Sequence, residues 1–122
     1  MARMLIADVD KNFGQLLKQE LEDMGFTVDV ILRGDAATPR FNGMRSYDVV
    51  LLDMHMPGLD YYQRLTRIKE YAGNAQVVVF ADSVAPEERS NLLDAGANAC
   101  FAKHEIGRLK HHLRQCCDSL SG

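Results

Sequence analysis

Five short apolar runs, Met4 to Asp8, Thr27 to Leu32, Asp48 to Leu52, Val77 to Phe80 and Ala99 to Ala102, alternate along this chain with segments of helical periodicity. Runs this short and rich in β-branched residues read as parallel strands covered on both faces. Their alternation with helices argues for repeated β-α units and against two packed sheets. The expectation is an α/β fold of five such units. A length of 122 residues accommodates a single domain over residues 1–122, with enough chain to bury a core.

The helices follow from apolar spacing and from stop signals. Leu16, Leu17, Leu21 and Met24 mark the first, which Gly25 ends. The second is expected to be short and irregular, with Thr38 as N-cap, Pro39 at the first helical position and Met44 at its end. Leu59, Tyr62, Leu65, Ile68 and Lys69 mark the third, ended by Gly73, and Pro86-Glu87-Glu88 opens a fourth that Gly96 closes. The last carries Ile106, Leu109, Leu113, Cys116 or Cys117, and Leu120 on its inner face. Arg108, Lys110, His111, Arg114 and Gln115 lie on the other, read as a solvated face with partner docking as the alternative. Residues 118–122 are expected to fray.

Composition excludes several functions. A 47% apolar and 25% charged chain with net charge -3 is that of a globular protein, and no apolar stretch approaches the roughly 18 to 20 residues of a membrane span. The N-terminal run is broken by Asp8 and lacks a signal peptide's cleavage region, so export is not expected. Lys and Arg are scattered, so direct nucleic-acid binding is disfavoured. Cys100, Cys116 and Cys117 are an odd number, and neighbouring cysteines rarely pair with each other. Free thiols in a cytoplasmic protein are the simplest reading.

Three strand ends supply chemistry: Asp8 and Asp10 after the first, Asp53 after the third and Lys103 after the fifth. In a parallel sheet these ends are where ligands bind. Carboxylates gathered at one point repel unless a cation sits among them, and a hard divalent ion such as Mg2+ suits oxygen ligands. A lysine beside them completes a site for an anion, of which phosphate fits best. Neither a Ser-His-Asp or Cys-His nucleophile at a strand end nor a Gly-rich phosphate loop is present.

From Met4-Leu5-Ile6-Ala7-Asp8 through Leu51-Leu52-Asp53-Met54-His55-Met56-Pro57-Gly58 to Gly96-Ala97-Asn98-Ala99-Cys100-Phe101-Ala102-Lys103, the sequence resembles the receiver domain of two-component response regulators. The resemblance covers essentially the whole chain. It implies a flavodoxin-like (βα)5 doubly wound sandwich with a parallel sheet of order 2-1-3-4-5. It also implies a phosphorelay signalling module rather than an enzyme. Asp53 would be the phosphoacceptor, taking a phosphoryl group from a histidine kinase, a phosphotransfer protein or a small phosphodonor. Lys103 would contact the phosphoryl oxygens. Asp8, Asp53 and the backbone carbonyl of His55 would hold Mg2+. Output would pass to a downstream protein, and a homodimer would use the fourth helix, fifth strand and fifth helix.

The departures from the family pattern are specific. Val9 stands where the second of two consecutive acids is usual, so weakened or lost Mg2+ binding is expected. Asp10 is the candidate substitute, displaced by the rise of about 3.3 Å per residue of an extended chain. Ala81 replaces the Thr or Ser whose hydroxyl signals the phosphate, and Ser83 lies two residues on. Cys100 replaces the aromatic switch residue, with Phe101 beside it facing the other way, and His104 replaces the proline after the lysine.

Three other readings compete. A pseudo-receiver would keep Asp53 as a remnant and serve as an interaction scaffold. Leu5-Ile6-Ala7-Asp8-Val9-Asp10 also resembles the nucleophile motif of haloacid-dehalogenase-type phosphatases, with Asp8 as nucleophile and Asp10 as general acid. Asn12 departs from that motif, the chain is short for that fold, and no paired acids follow the fourth strand. A metal site from His111, His112, Cys116 and Cys117 is geometrically poor, because neighbouring helical residues point in different directions.

Overall fold

The computed structural model describes residues 2–7, 11–31, 47–54, 65–66, 68–70 and 73–121, with side chains of the last helix described up to residue 116. In chain order the elements are β1 (Arg3–Ala7), α1 (Lys11–Asp23), β2 (Thr27–Ile31), β3 (Val49–Asp53), β4 (Gln76–Ala81), α2 (Pro86–Asp94) and β5 (Ala99–Ala102). A single 3-10 turn (Lys103–Glu105) then leads into α3 (Ile106–Ser121). Residues 65–66 and 68–70 are helical as well. The predicted fourth and fifth helices are α2 and α3. The predicted second helix, Thr38 to Met44, lies outside the described residues.

All five strands are parallel, in the order β2-β1-β3-β4-β5. This is the expected doubly wound order. Each strand alternates its side chains between two cores. On one face Leu5, Val50, Leu52, Val77, Val79 and Cys100 pack with Leu65, Ile68 and Leu92. On the other, Met4, Ile6, Val49, Leu51, Val78 and Phe80 pack with Leu17, Leu21, Leu109 and Leu113. Burial on both faces is why the strands read as nearly continuous apolar runs.

Helix ends follow local chemistry. After α1 the Gly25 N–H donates to the Glu22 carbonyl (2.9 Å) and the Phe26 N–H to that of Leu21 (3.2 Å). After α2 the same pair recurs, Gly96 to Leu93 (3.1 Å) and Ala97 to Leu92 (3.0 Å). Both are left-handed stops, with Gly25 at φ 97° and Gly96 at φ 116°. Pro86 begins α2 as predicted.

Several expectations are corrected. Leu16 is 50% exposed, whereas Leu17 and Leu21 are fully buried. The inward stripe of α1 therefore runs through Leu17 and Leu21, four residues apart, with Phe13 four before Leu17 packed against the same core. Lys110 is not simply solvated: its Nζ lies 2.7 Å from Glu20 on α1, tying the two helices that share a face. The backbone of α3 stays helical to Ser121, past the point at which fraying was expected. Asp53 is the last residue of β3 rather than the first after it.

Candidate functional site

The sequence order of the sheet reverses between β1 and β3, the kind of switch point at which parallel α/β sheets bind ligands beyond their carboxyl ends. Asp53 sits there. It pairs in register with Phe80 of β4, and the ladder runs one residue further through the Met54 N–H to the Phe80 carbonyl (3.0 Å). By strand alternation Asp53 shares the side of Val49 and Leu51. It is 1% exposed and the only buried charged residue among those described.

A buried carboxylate costs several kcal/mol unless a cation or donors compensate it. Lys103 supplies the cation. Its Nζ lies 3.4 Å from Asp53 Oδ2 and the side chain is 16% exposed. That contact is longer than a charge-assisted hydrogen bond of roughly 2.8 Å, so it acts as an ion pair without a directed bond. The ammonium also lies 4.8 Å from the Phe13 ring centroid and 5.8 Å from that of Phe80. Those rings are 5.3 Å apart. Two aromatic faces stabilise the cation and shield it from water. Asp82, 84% exposed, approaches Lys103 at 3.9 Å.

Lys103 reaches Asp53 because β5 pairs with β4, Ala102 opposite Ala81, and the chain turns immediately afterwards. Thus the structure brings Asp53 and Lys103 together across β4. Asp8, Val9, Asp10 and His55 lie outside the described residues. Asp8 follows Ala7, whose partner in β3 is Leu52, and His55 follows Met54.

The positions that depart from the family pattern have clear surroundings. Ala81 is fully buried at the end of β4, offering a methyl where a hydroxyl was expected, and Ser83 is exposed beyond the strand. Cys100 faces the core that contains Leu92, and Phe101 packs against the opposite one, as alternation required. Burial pushes the Cys100 thiol up, with Arg89 opposing, which keeps it protonated. His104 is the exposed middle residue of the 3-10 turn.

Sequence reasoning missed Phe13, Asp82, Arg89 and Glu105. The phase of α1, settled by Leu17 rather than Leu16, was the one available signal for Phe13. Glu105 Oε1 accepts a hydrogen bond from the Ala102 N–H at 2.9 Å. That bond first, with help from Arg108, Arg89 and His104, holds the Glu105 carboxyl below its usual range.

The chain matches the response regulator receiver domain family over residues 4–114. It is 29% identical over 113 residues to the sensor protein EvgS of Escherichia coli, covering 92% of this chain and 9% of that protein. It is 32% identical over 120 residues to the transcriptional regulatory protein CpxR homolog of Haemophilus influenzae, covering 94% of this chain and 52% of that one. The chain thus spans a small part of the first relative and about half of the second. Among solved structures it is similar to the response regulator TrrA of Thermotoga maritima in complex with Mg2+ and BeF, with 28% identity, a TM-score of 0.79 and coverage of 94% and 98% of the two chains. The sheet order, the buried Asp53 opposite Lys103 and these similarities agree: the chain belongs to the response regulator receiver domain family of two-component signalling.

Proposed function

We propose that Asp53 is the phosphoacceptor of a single receiver domain spanning residues 1–122, which signals from the cytoplasm through protein contacts. One observation carries the reading: a carboxylate 1% exposed at the carboxyl end of β3, with the Lys103 ammonium 3.4 Å away. The donor is a histidine kinase, a phosphotransfer protein or a small acyl phosphate. An Asp53 oxygen attacks phosphorus in line, the bond from phosphorus to the leaving group breaks, and its electron pair departs with that group. Lys103 balances charge on the phosphoryl oxygens, and its aromatic bed keeps it aimed at them.

Buried oxygen-donor chemistry at Asp53 fits a hard divalent cation. Asp53, Asp8 and the His55 carbonyl would hold Mg2+, with Asp10 as substitute for the acid missing at Val9. Bound there, Mg2+ would neutralise charge on the transferring group. With Asp10 displaced from the position of that acid, this chain requires more Mg2+ than a receiver with both acids.

The test uses the full chain with Mg2+ and acetyl phosphate. Mass measurement is expected to find one phosphoryl adduct, absent in Asp53→Asn. The pseudo-receiver is the second reading, favoured by the buried Ala81 methyl at the sensor position. It predicts no adduct even at saturating Mg2+, together with unchanged partner binding by Asp53→Asn.

A further inference from the structure

The 3-10 turn Lys103–Glu105 carries the cation of the site, and one such turn is weak by itself. Glu105 fastens it. Its Oε1 accepts the N–H of Ala102, the residue before Lys103, at 2.9 Å. The carboxylate is 17% exposed and held between two guanidinium groups, Arg108 at 3.2 Å and Arg89 at 3.5 Å. Arg89 comes from α2, and its other terminal nitrogen donates to the carbonyl of Cys100. One guanidinium therefore grips the chain on both sides of Ala102. Leu92 is the one fully buried residue of α2, and this polar grip adds a second link from that helix to β5.

We propose that Glu105 is a positioning residue for Lys103, and that through Arg89 it ties the Lys103 turn to α2. The proposal rests on Asp53 and Lys103 forming the phosphoacceptor site and adds how that site is held and read. A phosphoryl group on Asp53 draws Lys103 towards it. The turn follows, and Arg89 passes the displacement to α2. The link uses neither a hydroxyl at residue 81 nor an aromatic at residue 100.

Two measurements on the full chain test it, with thermal melts confirming that each variant folds. The first needs no phosphorylation: NMR follows the ring-current shift and the NOE contacts of the Lys103 Cε protons over the Phe13 and Phe80 rings. Both are expected to fall by about half or more in Glu105→Ala and to survive in Glu105→Gln, whose amide oxygen still accepts the Ala102 N–H. Values unchanged in Glu105→Ala overturn the positioning role, even if the variant melts earlier. The second follows hydrogen exchange across residues 86–94 as beryllofluoride and Mg2+ are added. The parent protein is expected to change there and Arg89→Met to change at least about threefold less. Equal changes overturn the link to α2. If the parent takes up no beryllofluoride, the phosphoacceptor reading fails, and the placement of Lys103 over the two rings still decides the role of Glu105.

Discussion

The two ends of the sheet handle charge in opposite ways. At the amino end, Arg3, Asp29, Tyr47 and Asp48 satisfy one another near the surface. The Tyr47 hydroxyl donates to Asp29 at 2.6 Å, the Arg3 guanidinium lies 4.8 Å over the Tyr47 ring, and the Arg3 N–H donates to Asp48 at 2.9 Å. Both partners of the Arg3 and Asp29 ion pair are about half exposed, so that pair contributes little. At the carboxyl end, Asp53 is buried, with the Lys103 ammonium 3.4 Å from its Oδ2. The first arrangement links the start of β1, the middle of β2 and the residues just before β3. The second costs desolvation, which the Lys103 cation offsets. The contrast agrees with the proposal that Asp53 is placed for phosphoryl chemistry rather than for stability.

The largest break in this comparison is Lys103→Met, which removes the ammonium 3.4 Å from the buried carboxylate. Chemical denaturation is expected to show a loss of about 3 kcal/mol, with most of it recovered in the double variant with Asp53→Asn. A recovery no larger than the effect of Asp53→Asn alone would mean that the two groups are not coupled. At the other end, Tyr47→Phe removes one hydrogen bond and is expected to cost about 1 kcal/mol while leaving phosphorylation unchanged. A drop in phosphorylation would show that the two ends are not independent.

His112 gives the smallest effect. It lies on α3 with its ring centroid 5.7 Å from that of Phe101, and its Nε2 is buried without a hydrogen-bond partner among the described residues. Burial lowers its pKa, so between the folded value and about 6.5 the unfolded chain binds more protons. The His112 contribution to stability is therefore full above about pH 6.5 and is lost as pH falls through the folded value. The slope of stability against pH in this window should flatten in His112→Phe. A slope identical to that of the parent would assign it to other groups.

Much of this was legible in the sequence because it depends on local pattern. Strand runs with both faces buried, glycine stops at Gly25 and Gly96, and charged residues at strand ends announced the sheet and the pairing of Asp53 with Lys103. What stayed hidden depends on helix phase or on distant partners. Leu16 and Leu17 are both plausible core residues, and only packing against the sheet decides that Leu17, and with it Phe13, turns inward. Lys110 finds Glu20 ninety residues away. Arg89 and Glu105 meet because a 3-10 turn follows β5, which no apolar period announces. Asn98 likewise caps the open start of β4 through the Val77 N–H at 2.8 Å while accepting from Lys69 at 3.0 Å.

The most direct measurement locates the phosphoryl group. The full chain is incubated with acetyl phosphate and Mg2+, the acyl phosphate is reduced with borohydride, and the product is sequenced by tandem mass spectrometry. Homoserine at position 53, dependent on phosphodonor and Mg2+, is the predicted result. Homoserine at another aspartate, or at none while a control receiver is labelled, would contradict the assignment of Asp53 as phosphoacceptor.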